Sequence, residues 1–250
     1  MTKRVMNRTN IEWIVNPDGS RGFTCNPIIG KCPHACWYCY AEHIRKKQMI
    51  SEEMKFLKHR LKFRREAATI FIGSMFDIFA DEVPHEWIEE IIETTKLYPQ
   101  HTFLFLTKNP ERYRDFFEIN KNQNCWWGTT ITGKNDMYRI KFLPPVRNFI
   151  SFEPLLSEID NGLFSKYKNW IEWIIIGSLN EYHKPVPPEQ GGTRKEWVTD
   201  LIERAETYSI PVFIKDCLYE LYSDLPERRQ VPYLLSKNRN ESPVHHRQLF

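Results

Sequence analysis

Seven short runs rich in β-branched and aromatic residues punctuate the chain: "GFTCNPII", "ATIFIGSM", "TFLFLTK", "CWWGTTI", "RNFISFE", "EWIIIGS" and "IPVFIKD". Most are almost wholly apolar at their centres, the pattern of strands covered on both faces. Between them lie charged stretches whose apolar residues fall at helical spacing. These are Met54, Leu57 and Leu61 in "SEEMKFLKHRLKFRREA", Trp87, Ile91 and Ile92 in "PHEWIEEIIETTKLYP", and Trp197, Leu201 and Ile202 in "RKEWVTDLIERAETYS". The proline that opens the second suits a first helical turn. Strands alternating with helices predict βα units around a parallel sheet, an α/β fold, and seven of them favour a complete or partial (β/α) TIM-type barrel over an open doubly wound sheet. No linker or composition break divides the chain. Residues 1–224 read as the barrel, and the Pro-, Arg- and Asn-rich stretch 225–250 as a tail.

A chain of 250 residues buries a sizeable core without covalent staples. Its six cysteines, at 25, 32, 36, 39, 125 and 217, form one tight cluster and three singles rather than a disulfide framework. That usage points to metal or redox chemistry in a reducing cytoplasm. The basic N-terminus leads into no apolar signal region, and the longest apolar run, "WIIIG", is too short to span a bilayer, so no membrane association is expected. A net charge of +3 neither demands nor excludes a nucleic-acid partner. Between Arg45 and Arg65, nine Lys or Arg stand against two Glu. On one face of a helix they would contact phosphates; the alternative is the solvated side of an amphipathic helix.

Polar residues gather where the apolar runs end, in "GSMFD", "LTKNP", "TTITGKND", "SFEPL", "GSLNE" and "IKDC". In a barrel these positions share the C-terminal rim, where ligands bind. The stretch "GKCPHACWYCYAE" follows the first strand and opens onto the same rim. Its Cys32, Cys36 and Cys39 form C-x3-C-x2-C, three thiolates on one compact loop with no fourth cysteine nearby. Structural zinc closes with four protein ligands, whereas an iron-sulfur cluster with one open iron needs three. A zinc knuckle completed by His34, His43 or Cys25 is the alternative. Cys25 and Cys125 lie inside apolar strands and read as core.

The cysteine spacing, with Tyr38 directly before the last cysteine, resembles the cluster motif of the radical S-adenosylmethionine superfamily. Over residues 9 to about 216, "TNIEW", "NPIIGKCPHACWYCYAE", "LTKNPERY", "SFEPLL" and "IPVFIKD" resemble an uncharacterised, often phage-borne three-cysteine family within it. "GSMFD" and "LTKNP" are also similar to the branch containing spore photoproduct lyase, which acts on DNA. The resemblance implies a 4Fe-4S cluster on Cys32, Cys36 and Cys39, S-adenosylmethionine on its open iron, and an external electron donor. It further implies reductive cleavage to a 5'-deoxyadenosyl radical that abstracts hydrogen from a substrate, with a nucleic acid or nucleotide as one candidate. The alternatives are a zinc-stabilised nucleic-acid binding module and an iron-sulfur protein without catalysis. The chain shows no obvious substrate-binding extension, so a partner protein is a candidate for completing the substrate site.

By the same resemblance Gly73 and Ser74 form the turn that meets the methionine amino group, in place of the commoner paired glycines. Lys108 would neutralise the carboxylate, or be a solvated lysine. Glu153, ending an apolar strand, would meet the ribose hydroxyls or the substrate, since a carboxylate in a barrel mouth is costly without a partner. Asp77 and Asn180 are weaker candidates of that kind, or helix caps. Thr130 and Thr132 would contact the ribose or serve as β-branched strand residues. Cys217, beside Lys215 and Asp216, is a candidate hydrogen-atom donor or a plain rim residue.

Overall fold

The computed structural model describes residues 6–116, 124–159, 161–181 and 184–232. The chain opens with β1 (Asn7–Arg8), β2 (Phe23–Cys25), β3 (Ile28–Ile29), α1 (Tyr40–Lys47), β4 (Lys55–Phe56), β5 (Thr69–Ile72) and α2 (His85–Lys96). It continues with β6 (Thr102–Thr107), β7 (Cys125–Thr130), β8 (Asn148–Phe152), α3 (Asn161–Tyr167), β9 (Ile174–Ile176) and the hairpin strands β10 (Asn180–Glu181) and β11 (Lys184–Pro185). Last come α4 (Lys195–Thr207), β12 (Val212–Ile214) and α5 (Asp216–Leu221). The main sheet has the order β1-β2-β5-β6-β7-β8-β9-β12. All its pairings are parallel except that of β1 with β2. Each of the seven apolar runs supplies one parallel strand, in chain order, as in a singly wound barrel.

The sheet curls around Trp13. In a flat sheet β5 and β8, three places apart, would be about 14 Å from each other. Yet the Trp13 ring lies 5.2 Å from Phe71 on β5 and 5.7 Å from Phe149 on β8. Alternate residues of the strands, among them Leu104, Trp126, Ile175 and Phe213, join Trp13 in this inner cluster. The opposite face packs on the helices through Ile88, Ile91 and Ile92 of α2 and Val198, Leu201 and Ile202 of α4. These residues lie at i, i+3 and i+4, one stripe per helix. Among the described residues no helix is long and apolar enough to cross a membrane.

The barrel is partial, because β1 and β12 end the sheet without pairing with each other. The seam between them is held by side chains: Glu12 accepts from the Asp216 amide at 2.6 Å and from Arg229 at 2.9 Å. Residues 228–230, in the stretch read as a tail, lie along the free side of β12. Ile214 N–H donates to Arg228 O at 2.9 Å and Gln230 N–H to Val212 O at 3.0 Å. Residues 233–250 of that stretch fall outside the described residues.

One predicted helix is absent. The stretch from Ser51 to Ala67 forms β4, which pairs with β3, and a single 3-10 turn at Lys58–Arg60. Its partners are distant in sequence: Lys31 N–H donates to Glu52 O, Leu57 N–H to Pro27 O, and Arg60 Nη1 to Asn26 O. Pairing with the segment before the cysteines overrides helix propensity, a weak local preference. The basic residues from Arg45 to Arg65 therefore share no helical face, and Arg45 is buried, forked onto Glu42 at 2.7 and 2.8 Å.

Gly128 in β7 marks a tight contact of the inner layer. A Cβ there would lie 2.3 to 2.6 Å from the Phe149 ring. Gly128→Ala is therefore expected to destabilise the fold by about 2 kcal/mol, the scale of overpacking a filled core. A denaturant melt checks this, and an unchanged midpoint would show that the inner layer yields to an extra methyl group.

Candidate functional site

The turn after β5 is built on Gly73, whose φ of +85° favours a residue without a Cβ. Its N–H donates to Cys25 O at 2.9 Å, which ties the turn to the end of β2. Asn26, the next residue, secures the rest: its Oδ1 accepts from Met75 N–H at 2.9 Å and its Nδ2 donates to Ser74 Oγ at 3.1 Å. The Ser74 carbonyl accepts the Tyr40 hydroxyl at 2.5 Å, so the first residue of α1 rests on the same turn.

The cysteine loop lies against this turn through Asp77. Oδ2 of Asp77 takes hydrogen bonds from His34 Nε2 at 2.8 Å, Thr107 Oγ1 at 3.0 Å and the Lys108 amide at 2.8 Å. Oδ1 takes one from the Phe79 amide at 3.0 Å. Burial works to raise this carboxyl, but the hydrogen bond and charge of His34, with the donors at Lys108 and Thr107, hold it below the ordinary aspartate value. Asp77 thus joins the cysteine loop, the β5 turn and the end of β6. Its backbone amide, like that of His34, lies near the Cys32 sulfur and favours the thiolate. Burial, opposed by those two amides, pushes the Cys32 thiol up to about 11.

Within the loop, Ala35 N–H donates to Cys32 O at 3.2 Å and Cys39 N–H to Cys36 O at 3.1 Å, two tight turns that set the cysteines along one strip. Cys39 directly precedes α1, as its N-cap residue. Tyr38 lies beside Cys36, and the Lys108 ammonium stands 5.7 Å from the centre of the Tyr38 ring. All six cysteines are free thiols. Among the described residues no three Cys, His, Asp or Glu side chains converge closely enough to hold a metal ion, so the thiols must turn inward to share one centre. In donor type the loop fits a soft iron-sulfur cluster: three thiols, with His34 already engaged on Asp77. Cys25, a second candidate for a fourth ligand, is buried in β2 with its thiol on Arg60 O at 3.3 Å.

Across the mouth stands an ion pair. Lys215 Nζ donates to Glu153 Oε1, and the two side chains are only 16% and 25% exposed. Both lie against Gly177, directly after the intervening strand β9, where a Cβ would come within 2.9 Å of Glu153 and 3.1 Å of Lys215. Burial disfavours the Lys215 ammonium, but the adjacent Glu153 charge outweighs it and raises the pKa. Cys217 is buried beside this pair and accepts from the Ser178 amide at 3.5 Å. Burial first, and then the Glu153 charge, push its thiol up.

Cys32, Tyr38, Gly73, Ser74, Asp77 and Lys108 therefore form one connected group, and Glu153 with Cys217 a second. Thr130 is buried between them, its carbonyl accepting from Arg139 at 2.8 Å. Thr132 binds Asp136 through its amide and hydroxyl, and Asn180 takes the Ser178 hydroxyl at 2.9 Å. Asp77, expected to face a ligand, has its carboxylate filled by protein donors. Asn26, which secures the β5 turn, and Lys215, which pairs with Glu153, are positions in this arrangement that sequence reasoning did not single out. Their signal was present, since both follow an apolar strand directly.

Comparison with known proteins places the chain in a family without supplying an activity. None of the curated proteins matches it. A double mutant of spore photoproduct lyase with bound AdoMet and dinucleoside spore photoproduct is similar at 12% identity and a TM-score of 0.48, covering 77% of this chain and 75% of that one. A single mutant of the same lyase is similar at 11% identity and a TM-score of 0.49, covering 89% and 78%. A family model described as "Protein of unknown function (DUF5131)" matches residues 8–220. The chain belongs to the DUF5131 family.

Proposed function

We propose that this protein is a radical S-adenosylmethionine enzyme whose 4Fe-4S cluster is held by Cys32, Cys36 and Cys39. The observation that supports this most is the donor set: three thiols on one loop at the barrel mouth, with His34 and Cys25 engaged elsewhere. A zinc knuckle would have to break one of those engagements or recruit His43. When bound, a cluster of this kind supplies one electron and an open iron, the chemistry by which S-adenosylmethionine is cleaved to a 5'-deoxyadenosyl radical.

The chain's own residues have separate tasks in this reading. Gly73, with its positive φ and the Phe76 carbonyl packed where a Cβ would lie, shapes the β5 turn whose backbone would meet the methionine end. Lys108, held over a ring rather than by an acid, offers a compact positive charge to the carboxylate. Glu153 accepts from hydroxyl groups of the ribose or the substrate, and Lys215 pairs with its carboxylate. Cys217, kept protonated by burial, retains an S–H bond as a hydrogen-atom source next to the pair.

Anaerobic reconstitution with iron and sulfide, followed by dithionite and S-adenosylmethionine, tests the reading. Cluster absorption, an electron paramagnetic resonance signal and 5'-deoxyadenosine are expected. In Cys36→Ala, iron retention and product should fall by more than the roughly 10- to 100-fold that loss of an outer-shell partner costs. Zinc uptake without iron, or a cluster that leaves S-adenosylmethionine intact, overturns it.

A further inference from the structure

Trp37, between Cys36 and Cys39, is 75% exposed, and Tyr138, on the connection after β7, is 51% exposed. They belong to one row of rings and cations that leads away from the barrel mouth. Trp37 meets Tyr38 edge-on at 5.3 Å, and Lys108 stands over Tyr38. Lys108 follows β6, whose Thr107 pairs with Thr129 of β7, and Arg139 donates to the adjacent Thr130 carbonyl at 2.8 Å, which links this end of the row to the β7 connection. The Arg139 guanidinium is 5.9 Å from the Tyr138 ring, and Tyr138 meets Phe142 edge-on at 6.4 Å. Phe142 in turn carries two cations, Arg114 at 4.4 Å and Lys141 at 4.6 Å from its centre. There the row reaches a cavity of about 220 Å³ whose walls include Arg114, Lys141, Phe142, Pro144 and Trp170.

The charge of the row asks for a ligand. Among the described residues Lys141 is exposed and in no ion pair, and Arg114 is exposed and meets only Glu111, at 3.9 Å. Arg139 is engaged inward, its Nη1 on Thr130 O at 2.8 Å and its Nη2 3.1 Å from Asp136, so Arg114 and Lys141 are the cations that face outward. Exposed flat rings interleaved with cations suit a chain that presents flat rings and anions in alternation. A single-stranded nucleic acid does so, its bases stacking on the rings and its phosphates meeting the cations. A duplex keeps its bases stacked inside, and an acidic peptide leaves the rings unused.

We propose that this row is the binding track of a single-stranded nucleic acid, one end of which lies at the barrel mouth. The inference rests on the proposed function for what happens at the mouth, and names the polymer delivered there. It places the phosphate contacts on this row instead of on residues 45–65, which share no helical face.

The test is fluorescence anisotropy with a labelled single-stranded DNA of roughly 12 nucleotides and the full chain, with or without iron. Binding should weaken with salt, with a log–log slope of about −1.4 for two phosphate contacts. Tyr138→Ala should weaken it about tenfold, the scale of losing one stacked base. Lys141→Glu should weaken it and flatten the salt slope by about 0.7 or more, while Lys62→Glu, on the 45–65 stretch, should bind as the parent does. Tyr138 and Lys141 are exposed, so neither change threatens the fold. Equal binding by Tyr138→Ala and Lys141→Glu overturns the proposal, as does equal affinity for a duplex or for polyglutamate. If the oligonucleotide binds as described and 5'-deoxyadenosine never forms, the track stands and the radical reading falls.

Discussion

Asp77→Ala is expected to lower the thermal midpoint by about 10 °C and to unpin the cysteine loop. The carboxylate receives four hydrogen bonds, and its loss strands the buried Thr107 hydroxyl and the amides of Lys108 and Phe79. Hydrogen bonds to charged groups contribute about 1.5–3 kcal/mol each, and stranded buried donors cost about 1–3 kcal/mol. Because the four share one carboxylate, a total near 3 kcal/mol is a conservative figure, and about 2–4 °C per kcal/mol gives the shift for a domain of this size. Residue-resolved alkylation supplies a second readout. Cys32 should react about tenfold faster while Cys125, buried in β7, stays protected and reports that the barrel remains folded. An unshifted midpoint with unchanged Cys32 reactivity would remove Asp77 from this role. The pH dependence has a definite sign. The Asp77 pKa is depressed in the fold, so its stabilisation is complete above the ordinary aspartate value near ~3.9 and fades as pH falls toward the lower folded value. Asp77→Asn should lose that acid-side dependence.

Lys215→Met is the second large effect. It leaves the Glu153 carboxylate in the barrel mouth without its cation, and a broken, largely buried pair costs about 3–5 kcal/mol. Partial solvent access to Glu153 brings the expectation to about 3 kcal/mol. Removing both charges in Glu153→Leu/Lys215→Met should restore stability to within about 1 kcal/mol of the parent, because apolar replacements of buried pairs are often neutral. The double variant should still fail to form 5'-deoxyadenosine if the pair serves the ligand. A double variant as unstable as the sum of its two singles would show that the charges are not coupled. Full activity in it would show that the mouth does not need them.

The strands were legible because each is covered on both faces, which writes an uninterrupted apolar run into the sequence. The inner face was half legible. Phe71, Phe149 and Phe213 are apolar by inspection, but nothing local says that Trp13, from before the first barrel strand, would sit among them. Residues 51–67 misled because Met54, Leu57 and Leu61 fit a helical stripe, whereas the pairing of β4 with β3 is a contact across the whole cysteine loop. In the site, the cysteine spacing is a local signal and was read. The partners that position it are not local: Asn26 and Ser74 are 48 residues apart, His34 and Asp77 43, and Glu153 and Lys215 62. Their meeting depends on strand register, which no single run of sequence encodes.

A partial barrel has a mouth that can widen for a large ligand, but its last strand would offer unpaired amides to any passing chain. Here the free side of β12 is occupied by residues 228–230, with Arg229 at the centre of the bridge opposite Phe213. A short, charged cover strand of this kind blocks edge-to-edge pairing between copies. Truncating the chain just before Arg228 would therefore do more than shorten it: the protein would be converted from a self-limited fold into a template for its own aggregation.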